Sequence, residues 1–576
     1  MILGINLSHG SSACLTTDDG IVIYALEEER ISRIKNHVGI PLRAIDLILS
    51  SSPAITLSKV VIGSHATLSW DDANRFLVAL EGNPSNPVGR SFPPFPSYDS
   101  HKSGTPRELI ESKIRKLVEA KGIQCSDFVW PKHHDSHLGT ALGTGINNES
   151  LLVSFDGEGD GESGVIALLS AQNQVSRLVS NSKFDSLGYL YEAVTSKYNF
   201  KPNQHEGKIT GLAAYGSWSE AVEVISNHIS ILSGTLEIDY AKTLNQKRLN
   251  NLKRYAKLST TPNSLAEIID LAASATTKYE DLAFAIQKVL ENSILEILGY
   301  FSNKLQLRDF ALTGGVFANV KLNQKIAESD FARKVFVFPN MGDGGLCLGG
   351  VWSYLSGTNN LSKENLYKDM FLAPDYFPKS TFSGLEVTKL DERNKFQVIA
   401  EEIAEGKLVA VHQGRMEFGP RALGNRSLLL DPRNREILER TNKRLKRTEF
   451  MPFAPMVLEE EFTKYFETPN QTMQPFSYMA MTCRVLENFA NQIPAVTHVD
   501  MTARPQVVTR ESNFYCFNIL KSFQEKTGVP VLVNTSLNVH EEPINYSLED
   551  TLSCLRRGAI DVIYTEDSRI SLSIAR

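Results

Sequence analysis

The chain has 576 residues, of which 42% are hydrophobic and 22% charged, with a formal net charge of -6. That length is too great for one compact core and predicts two or more domains, while the composition excludes a disordered, coiled-coil or low-complexity chain. The mildly acidic balance excludes a global basic field that would draw the whole molecule onto nucleic acid or an anionic membrane.

The first residues, "MILGINLSHGSS", lack the basic region and long apolar core of a leader. No later apolar run approaches the roughly 20 residues of a membrane span, so the chain reads as soluble and cytoplasmic. "ILGINL" is a strand, followed by a loop of Ser8, His9, Gly10, Ser11 and Ser12 and by two strand-like runs around an Asp-Asp-Gly turn in "ACLTTDDGIVIYALEEER". Residues 151–170, "LLVSFDGEGDGESGVIALLS", again read strand, Asp/Gly loop, strand, which predicts an internally duplicated α/β unit. Between the two lie an amphipathic helix near residues 106–121, a strand at "FVW" and Pro131, which suits the first turn of a helix opened by "KHHDSHL". "DLAFAIQKVLENSILEILGYFSNKL" has the spacing of a core helix. "DFALTGGVFANVKLNQKI" and "KVFVFPNMGDGGLCLGGVWSYL" each read strand, glycine loop, helix, the pattern of a largely parallel sheet whose ligands sit at the strand carboxyl ends. Residues 1–355 are thus one domain, 356–394 a connecting segment rich in Ser, Asn, Lys and Pro, and 395–576 a second domain opening with "FQVIAEEIAEG" and the strand "KLVAVHQG". The six cysteines are scattered without a C-x-x-C pair, which argues against zinc ribbons and a disulfide framework.

His133 and His137 are four apart and share one face of a helix, the spacing by which two imidazoles can grip one ion; His134 is turned about 100° away. On residues alone this stays open between a metal pair and a polar helix face. Asp156, ending "LLVSFD", and Asp343, in "NMGDGG", would complete a nitrogen and oxygen set suited to Fe(II), Mn(II) or Zn(II), unless both only cap turns. The loops of Gly314, Gly315 and Asn319 and of Gly342 and Gly344 place backbone amides at helix starts, where phosphates bind, although a lone Gly-Gly pair is more often a turn. "HEGKITGLAAYG" puts Lys208 where it could hold a leaving phosphate or an acyl group, or it is a tight loop. In the second domain, Arg415, Arg421 and Arg426 lie in "QGRMEFGPRALGNRS", followed by Lys446 and Arg447 and later by Arg504. Arginine forks fit phosphate oxygens, and the competing reading is a solvated basic face or an RNA patch. Asn534, Ser536 and Asn538 alternate past the end of an apolar strand and can face one pocket.

Together, "NLSHGSSACL", "HHDSH", "SFDGEGDGESG", "EGKITGLAAYG", "LTGGVFANV", "PNMGDGG", "QGRMEFGPRALGNRS", "EFMPFAP" and "VNTSLNVHEEPI" resemble the O-carbamoyltransferases of natural-product biosynthesis, of the tobramycin, cephamycin and nodulation-factor type. The resemblance implies an α/β fold. Its N-terminal part would be a duplicated, actin-like ATPase domain of the tRNA threonylcarbamoyl-transferase type, and its C-terminal part a YrdC-like domain. It implies that the YrdC-like domain makes carbamoyl-adenylate from carbamoyl phosphate and ATP, with Mg2+, losing phosphate and pyrophosphate. The N-terminal domain then passes the carbamoyl group to a hydroxyl of a small-molecule acceptor. By matching position, His133, His137, Asp156 and Asp343 would hold a divalent ion, Fe2+ above others, against the adenylate, and His9 would act as general base. The expected catalytic set is His9, Lys208 and Arg421. The ligand-binding set is Gly314, Gly315, Asn319, Gly342, Gly344, Arg415, Arg426, Lys446, Arg447, Arg504, Asn534, Ser536 and Asn538. Met451 stands where many of the family have arginine.

Because carbamoyl-adenylate hydrolyses in water, two sites on one chain predict an internal route and a large, polar interface between domains. No nucleic-acid or membrane partner is expected. A homodimer is compatible with the resemblance, and the oligomeric state stays open. A fused tRNA threonylcarbamoylation enzyme is disfavoured by the overall charge and by "GRMEFGPRALG". Hydrogenase-maturation carbamoyltransferases carry an acylphosphatase module and C-x-x-C zinc fingers that are not found here. From a different class, a non-catalytic ATP-dependent switch of the actin-like superfamily remains the alternative.

Overall fold

The computed structural model describes residues 1–52, 55–66, 105–125, 127–146, 149–172, 174–240, 263–362, 366–446, 452–469 and 472–573. It is an α/β molecule built on three main sheets. The strands β1 (Ile2–Asn6), β2 (Ser12–Thr16), β3 (Val22–Glu27), β4 (Lys59–Ile62) and β5 (Asp127–Val129) form the first, in the order β3-β2-β1-β4-β5. β1 runs antiparallel to β2 and parallel to β4, and every residue of it is buried, as its unbroken apolar run requires of a central strand. The second sheet contains β6 (Ser150–Gly159), β7 (Glu162–Leu169) and β8 (Val175–Ser182). A hairpin of β9 (Ile229–Leu232) and β10 (Thr235–Ile238) precedes its last strands, β11 (Asp309–Thr313) and β12 (Lys334–Val337). Its order is β12-β11-β6-β7-β8. β6 pairs antiparallel with β7 and parallel with β11, so this sheet has the strand order and polarity of the first.

The third sheet takes β13 (Leu385–Lys389), β14 (Val409–His412), β15 (Arg426–Leu430) and β16 (Ala454–Leu458) from the C-terminal part. After a short pair, β17 (Cys483–Arg484) with β18 (Thr502–Ala503), it adds β19 (Gln506–Val508), β20 (Val531–Ser536), β21 (Val562–Tyr564) and β22 (Ser568–Leu572). The order is β13-β22-β21-β14-β15-β20-β16-β19, and the helices Lys395–Ala404 and Phe514–Thr527 pack against each other. No described helix is long and apolar enough to cross a membrane.

The structure differs from expectation in four places. The "DGEGDG" stretch is not a loop: β6 continues to Gly159 through a register break after Phe155, and only Asp160 and Gly161, both at positive φ, make the turn. The histidine helix is His133–Leu142, starting two residues after Pro131. The connecting segment ends in β13, an edge strand on β22 whose exposed Glu386 and Thr388 hide the usual apolar alternation. The interface of the two halves has an apolar centre. One buried cluster combines Phe338, Trp352 and Leu355 with Leu366, Met370 and Leu372 of the connector and with Phe418, Leu423, Ala454 and Met479. Polar ties surround it. Ala25 N–H donates to Leu372 C=O and Phe418 N–H to Met370 C=O, which clamps the connector between both halves.

Candidate functional site

The helix His133–Leu142 carries the histidines against the second sheet. It can approach because it crosses the helix Leu346–Gly357 through glycines: a Cβ on Gly139 would lie 1.9 Å from Gly349 C=O, and one on Gly349 2.0 Å from Ser136 C=O. Asp160 Oδ2 accepts from His133 N–H and Ala66 N–H, both at 2.8 Å, and so holds the start of the histidine helix. His133, His134 and His137 are each 0% exposed, so the cluster is no wet helix face.

Four side chains converge. His137 Nε2 lies 3.1 Å from His133 Nε2, 3.0 Å from Asp156 Oδ2 and 3.4 Å from Asp343 Oδ1. His133 Nε2 is 3.7 Å from each carboxylate, and one ligand atom from each residue falls within 4.8 Å of all the others. Atoms bound to one ion at about 2.1 Å stand roughly 3.0–3.4 Å apart at octahedral or tetrahedral angles, so the shorter separations fit a shared cation. The surroundings fit as well. His133 Nδ1 donates to the Ser64 carbonyl at 2.7 Å, which turns the Nε2 lone pair inward. Asp156 Oδ1 accepts from Gly157 N–H at 2.7 Å, and Ser8 Oγ donates to Asp343 Oδ2 at 2.6 Å, each leaving the other carboxylate oxygen for the centre. A Cβ on Gly159 would strike the His133 ring at 2.1 Å, so only glycine lets the β6 bulge close over the cluster.

Electrostatics agree with this arrangement. Burial opposes charge on His133, yet Asp343 and Asp156 outweigh it and raise its pKa to about 10. Burial likewise opposes ionisation of Asp156, but its contacts with both imidazoles hold it well below the usual carboxylate range. The four groups therefore favour positive charge among them, which a divalent cation supplies better than protons. His134 is apart: its Nδ1 bonds Ser154 Oγ at 2.8 Å and its Nε2 Glu162 C=O at 3.1 Å, while burial and the other two imidazoles push it down to about 3.

Around this cluster lie most of the N-terminal residues singled out in the sequence. His9 is exposed, its backbone held between Ser8, on Asp343, and Gly10, beside Gly344. Gly314, at φ 93°, donates its N–H to Met341 C=O, and a Cβ on Gly315 would meet Asp156 Oδ1 at 2.8 Å. Gly342 faces open space. Asn319 caps the helix Val320–Ala327 through Leu322 N–H and donates to Gln287 Oε1. Lys208 is buried, its ammonium 5.4 Å from the Phe200 ring centre.

In the C-terminal half the residues divide. Arg415 donates to the carbonyls of Ala373, Leu372 and Ile23 and lies over the Tyr24 ring at 4.8 Å. Arg426 is buried and donates to the carbonyls of Tyr546, Gln413, Asn425 and Gly414. The donors of both thus brace the loop and the interface. Arg421 and Arg504 lie half-buried, and Asn534 links their surroundings, donating to Ala422 C=O at 2.9 Å and Gln506 Oε1 at 2.6 Å. Ser536 Oγ donates to Asn538 Oδ1, whose amide donates to the Val539 and Glu542 carbonyls. Lys446 is exposed at the end of the helix Glu436–Leu445, while Arg447 and Met451 lie outside the described residues. Sequence reasoning missed Ser8 and Glu417. Glu417 Oε1, deep in the arginine loop, accepts from the N–H groups of Leu423, Asn425 and Arg426. A lone acid among arginines in a loop broken by Gly and Pro was its available signal.

An α/β chain with a two-histidine, two-carboxylate cluster and an arginine-bearing loop has the parts of a group-transfer enzyme. Residues 101–351 match the family model described as Carbamoyltransferase N-terminus, and residues 400–571 that described as Carbamoyltransferase C-terminus. Nodulation protein NolNO of Sinorhizobium fredii is 31% identical over 96% of this chain and 77% of its own. An uncharacterized protein of Methanocaldococcus jannaschii is 30% identical over 99% of both chains. The 3'-hydroxymethylcephem-O-carbamoyltransferase of Amycolatopsis lactamdurans is 28% identical over 75% of this chain and 78% of its own. Among solved structures, HypF in its phosphate- and nucleotide-bound form covers 64% of this chain and 47% of that one, at 11% identity and TM-score 0.32. The chain belongs to the carbamoyltransferase family, and it is a transferase enzyme.

Proposed function

We propose that the chain is an ATP-dependent O-carbamoyltransferase that carbamoylates a hydroxyl of a small-molecule natural product. The observation that carries this reading is the convergence of His133, His137, Asp156 and Asp343, in a family whose members include a relative named for carbamoylating a hydroxymethyl group. In this reading the two five-stranded sheets are an actin-like duplicated unit, supported by their matching order, and the C-terminal sheet is the YrdC-like unit. In the C-terminal unit water hydrolyses carbamoyl phosphate to carbamate and phosphate, and a carbamate oxygen then attacks the α-phosphorus of ATP, with Mg2+, to give carbamoyl-adenylate and expel pyrophosphate. Arg415, Arg421, Arg426, Arg504, Lys446 and Arg447 neutralise the phosphates, and Asn534, Ser536 and Asn538 orient the carbamoyl amide.

A divalent cation, Fe2+ in this proposal, held by the two histidines and two aspartates would supply Lewis acidity at the carbamoyl oxygen. The acceptor oxygen then bonds to the carbamoyl carbon, the bond from that carbon to the adenylate oxygen breaks, and AMP leaves. His9, exposed beside the Asp343 loop, takes the hydroxyl proton. Lys208 and the amides of Gly314, Gly315, Gly342 and Gly344 hold the adenylate phosphate, with Asn319 at the adjoining helix start.

The test is His137→Ala in the full chain. Pyrophosphate release that needs both ATP and carbamoyl phosphate should continue, while bound metal and carbamoylated product, followed by mass spectrometry, should be lost. Undiminished product formation would end the metal reading. Absence of pyrophosphate release from the unaltered enzyme would end the adenylate reading.

A further inference from the structure

Four consecutive charged residues, Glu27, Glu28, Glu29 and Arg30, are 6%, 3%, 8% and 3% exposed. Charged side chains are almost never buried unless they are paired, and four in a row at the end of a strand call for four separate explanations. Two are local. Glu28 Oε2 accepts from Ala44 N–H at 2.8 Å, and Glu29 Oε2 from Asn36 N–H at 2.7 Å. Glu27 and Arg30 reach elsewhere.

Glu27 Oε1 accepts from Asn340 Nδ2 at 3.1 Å, three residues before Asp343. A Cβ on Gly344, just after Asp343, would stand 3.0 Å from the same oxygen, so the Glu27 carboxylate lies against the loop that carries Asp343. Its Oε2 accepts from Arg30 Nε at 2.8 Å and from Arg30 Nη2. Arg30 Nη2 also donates to Gly419 C=O at 2.7 Å, in the C-terminal half, and Nη1 lies 3.0 Å from Glu29 Oε1. Gly419, at φ 128°, packs close to Asn340: a Cβ there would meet Asn340 Cβ at 3.3 Å. Two residues before it, Glu417 organises the backbone that presents Arg421. One run of contacts therefore joins the Asp343 loop to the arginine loop.

We infer that Glu27 and Arg30 are a positioning pair that holds these two loops in register, so that the adenylate formed beside one is retained for transfer beside the other. This rests on the two-site reading above. A buried ion pair is weak evidence of stabilisation, because desolvation offsets most of its attraction, whereas the fork of an arginine fixes geometry in three directions at once. Displacement of a reacting group by about 1 Å can cost two orders of magnitude in rate, which is the scale on which such a pair matters.

The test uses the full chain with ATP and radiolabelled carbamoyl phosphate alone, so no acceptor has to be known. Arg30→Lys keeps the charge and loses the fork. Glu27→Gln with Arg30→Met removes both charges of the pair together, with Glu29 still held by Asn36 N–H. Asn340→Ala leaves the pair intact and cuts its link to the Asp343 loop. Pyrophosphate release and the label retained on the protein after rapid desalting are read together with the melting temperature. For the variants that melt as the unaltered enzyme does, pyrophosphate release should stay within about twofold while retained label falls about tenfold. Retention equal to that of the unaltered enzyme, or a fall in both readouts in step, would overturn the inference. If the unaltered enzyme releases no pyrophosphate, the two-site reading fails first and this inference with it, an outcome recognisable without any variant.

Discussion

At the scale of single residues, the candidate centre depends as much on supporting groups as on the four side chains that would hold a metal. Ser8 fixes Asp343 by its 2.6 Å hydrogen bond, and loss of such a support usually weakens metal binding without removing a ligand. Ser8→Ala should therefore lower metal affinity about 10- to 100-fold in a chelator competition, with the melting temperature of the metal-free protein nearly unchanged. A different buried group governs a pH effect. Burial raises the Glu28 pKa from 4.5 to about 7. The folded state thus favours its protonated form: its contribution to stability is fully present below 4.5 and is lost as pH rises through about 7. Urea denaturation of Glu28→Gln should lose less stability between those pH values than the unaltered protein, and parallel profiles would refute this. In the sequence, the spacing of His133 and His137 and the setting aside of His134 were legible because helical period decides which side chains share a face. That all three are buried was not, since burial depends on the sheet and the helix that cover them.

At the scale of elements, glycines set the distances. In an exposed helix, Gly to Ala is worth about 1 kcal/mol in favour of alanine. At Gly139 the sign should reverse, because the new Cβ would be 1.9 Å from Gly349 C=O and two backbones would have to part. Gly139→Ala should destabilise by about 1–3 kcal/mol, as overpacking does, and should lower bound metal because the histidine helix moves outward. A calorimetric melting temperature and metal content check both. β6 teaches the complementary lesson. Its Asp and Gly residues read as a loop, yet tertiary pairing with β7 carries the strand past them, and the register break aims Asp156 sideways. β13 was hidden for the opposite reason: an exposed edge strand needs no apolar face, so its pattern is that of a linker.

At the scale of the whole molecule, the two halves share an apolar cluster and a clamped connector, and Arg33, Arg415 and Lys321 add polar ties across the boundary. The second buried cluster does the same, adding Met416, Ala422, Ile544 and Tyr546 to the first sheet. The halves should therefore unfold together, as one calorimetric transition; two transitions separated by more than about 10 °C would mean that the shared cluster contributes little. This union also suits the proposed chemistry, since a hydrolysable intermediate needs two sites held in constant relation.

The sequence by itself determined the α/β class, the strand, glycine loop, helix units, the histidine pair and the family resemblance, because these follow from local period, turn chemistry and motif order. Only the tertiary structure decided which backbone the arginines brace. Arg415 and Arg426 stand in the same motif as Arg421, but every carbonyl that accepts from Arg415, and that of Tyr546 among those accepting from Arg426, comes from a part of the chain distant in sequence. It also decided that the charged run from Glu27 to Arg30 is interior. A buried charge is stable only with partners, and those partners, Asn340 and Gly419, are brought to it by the fold.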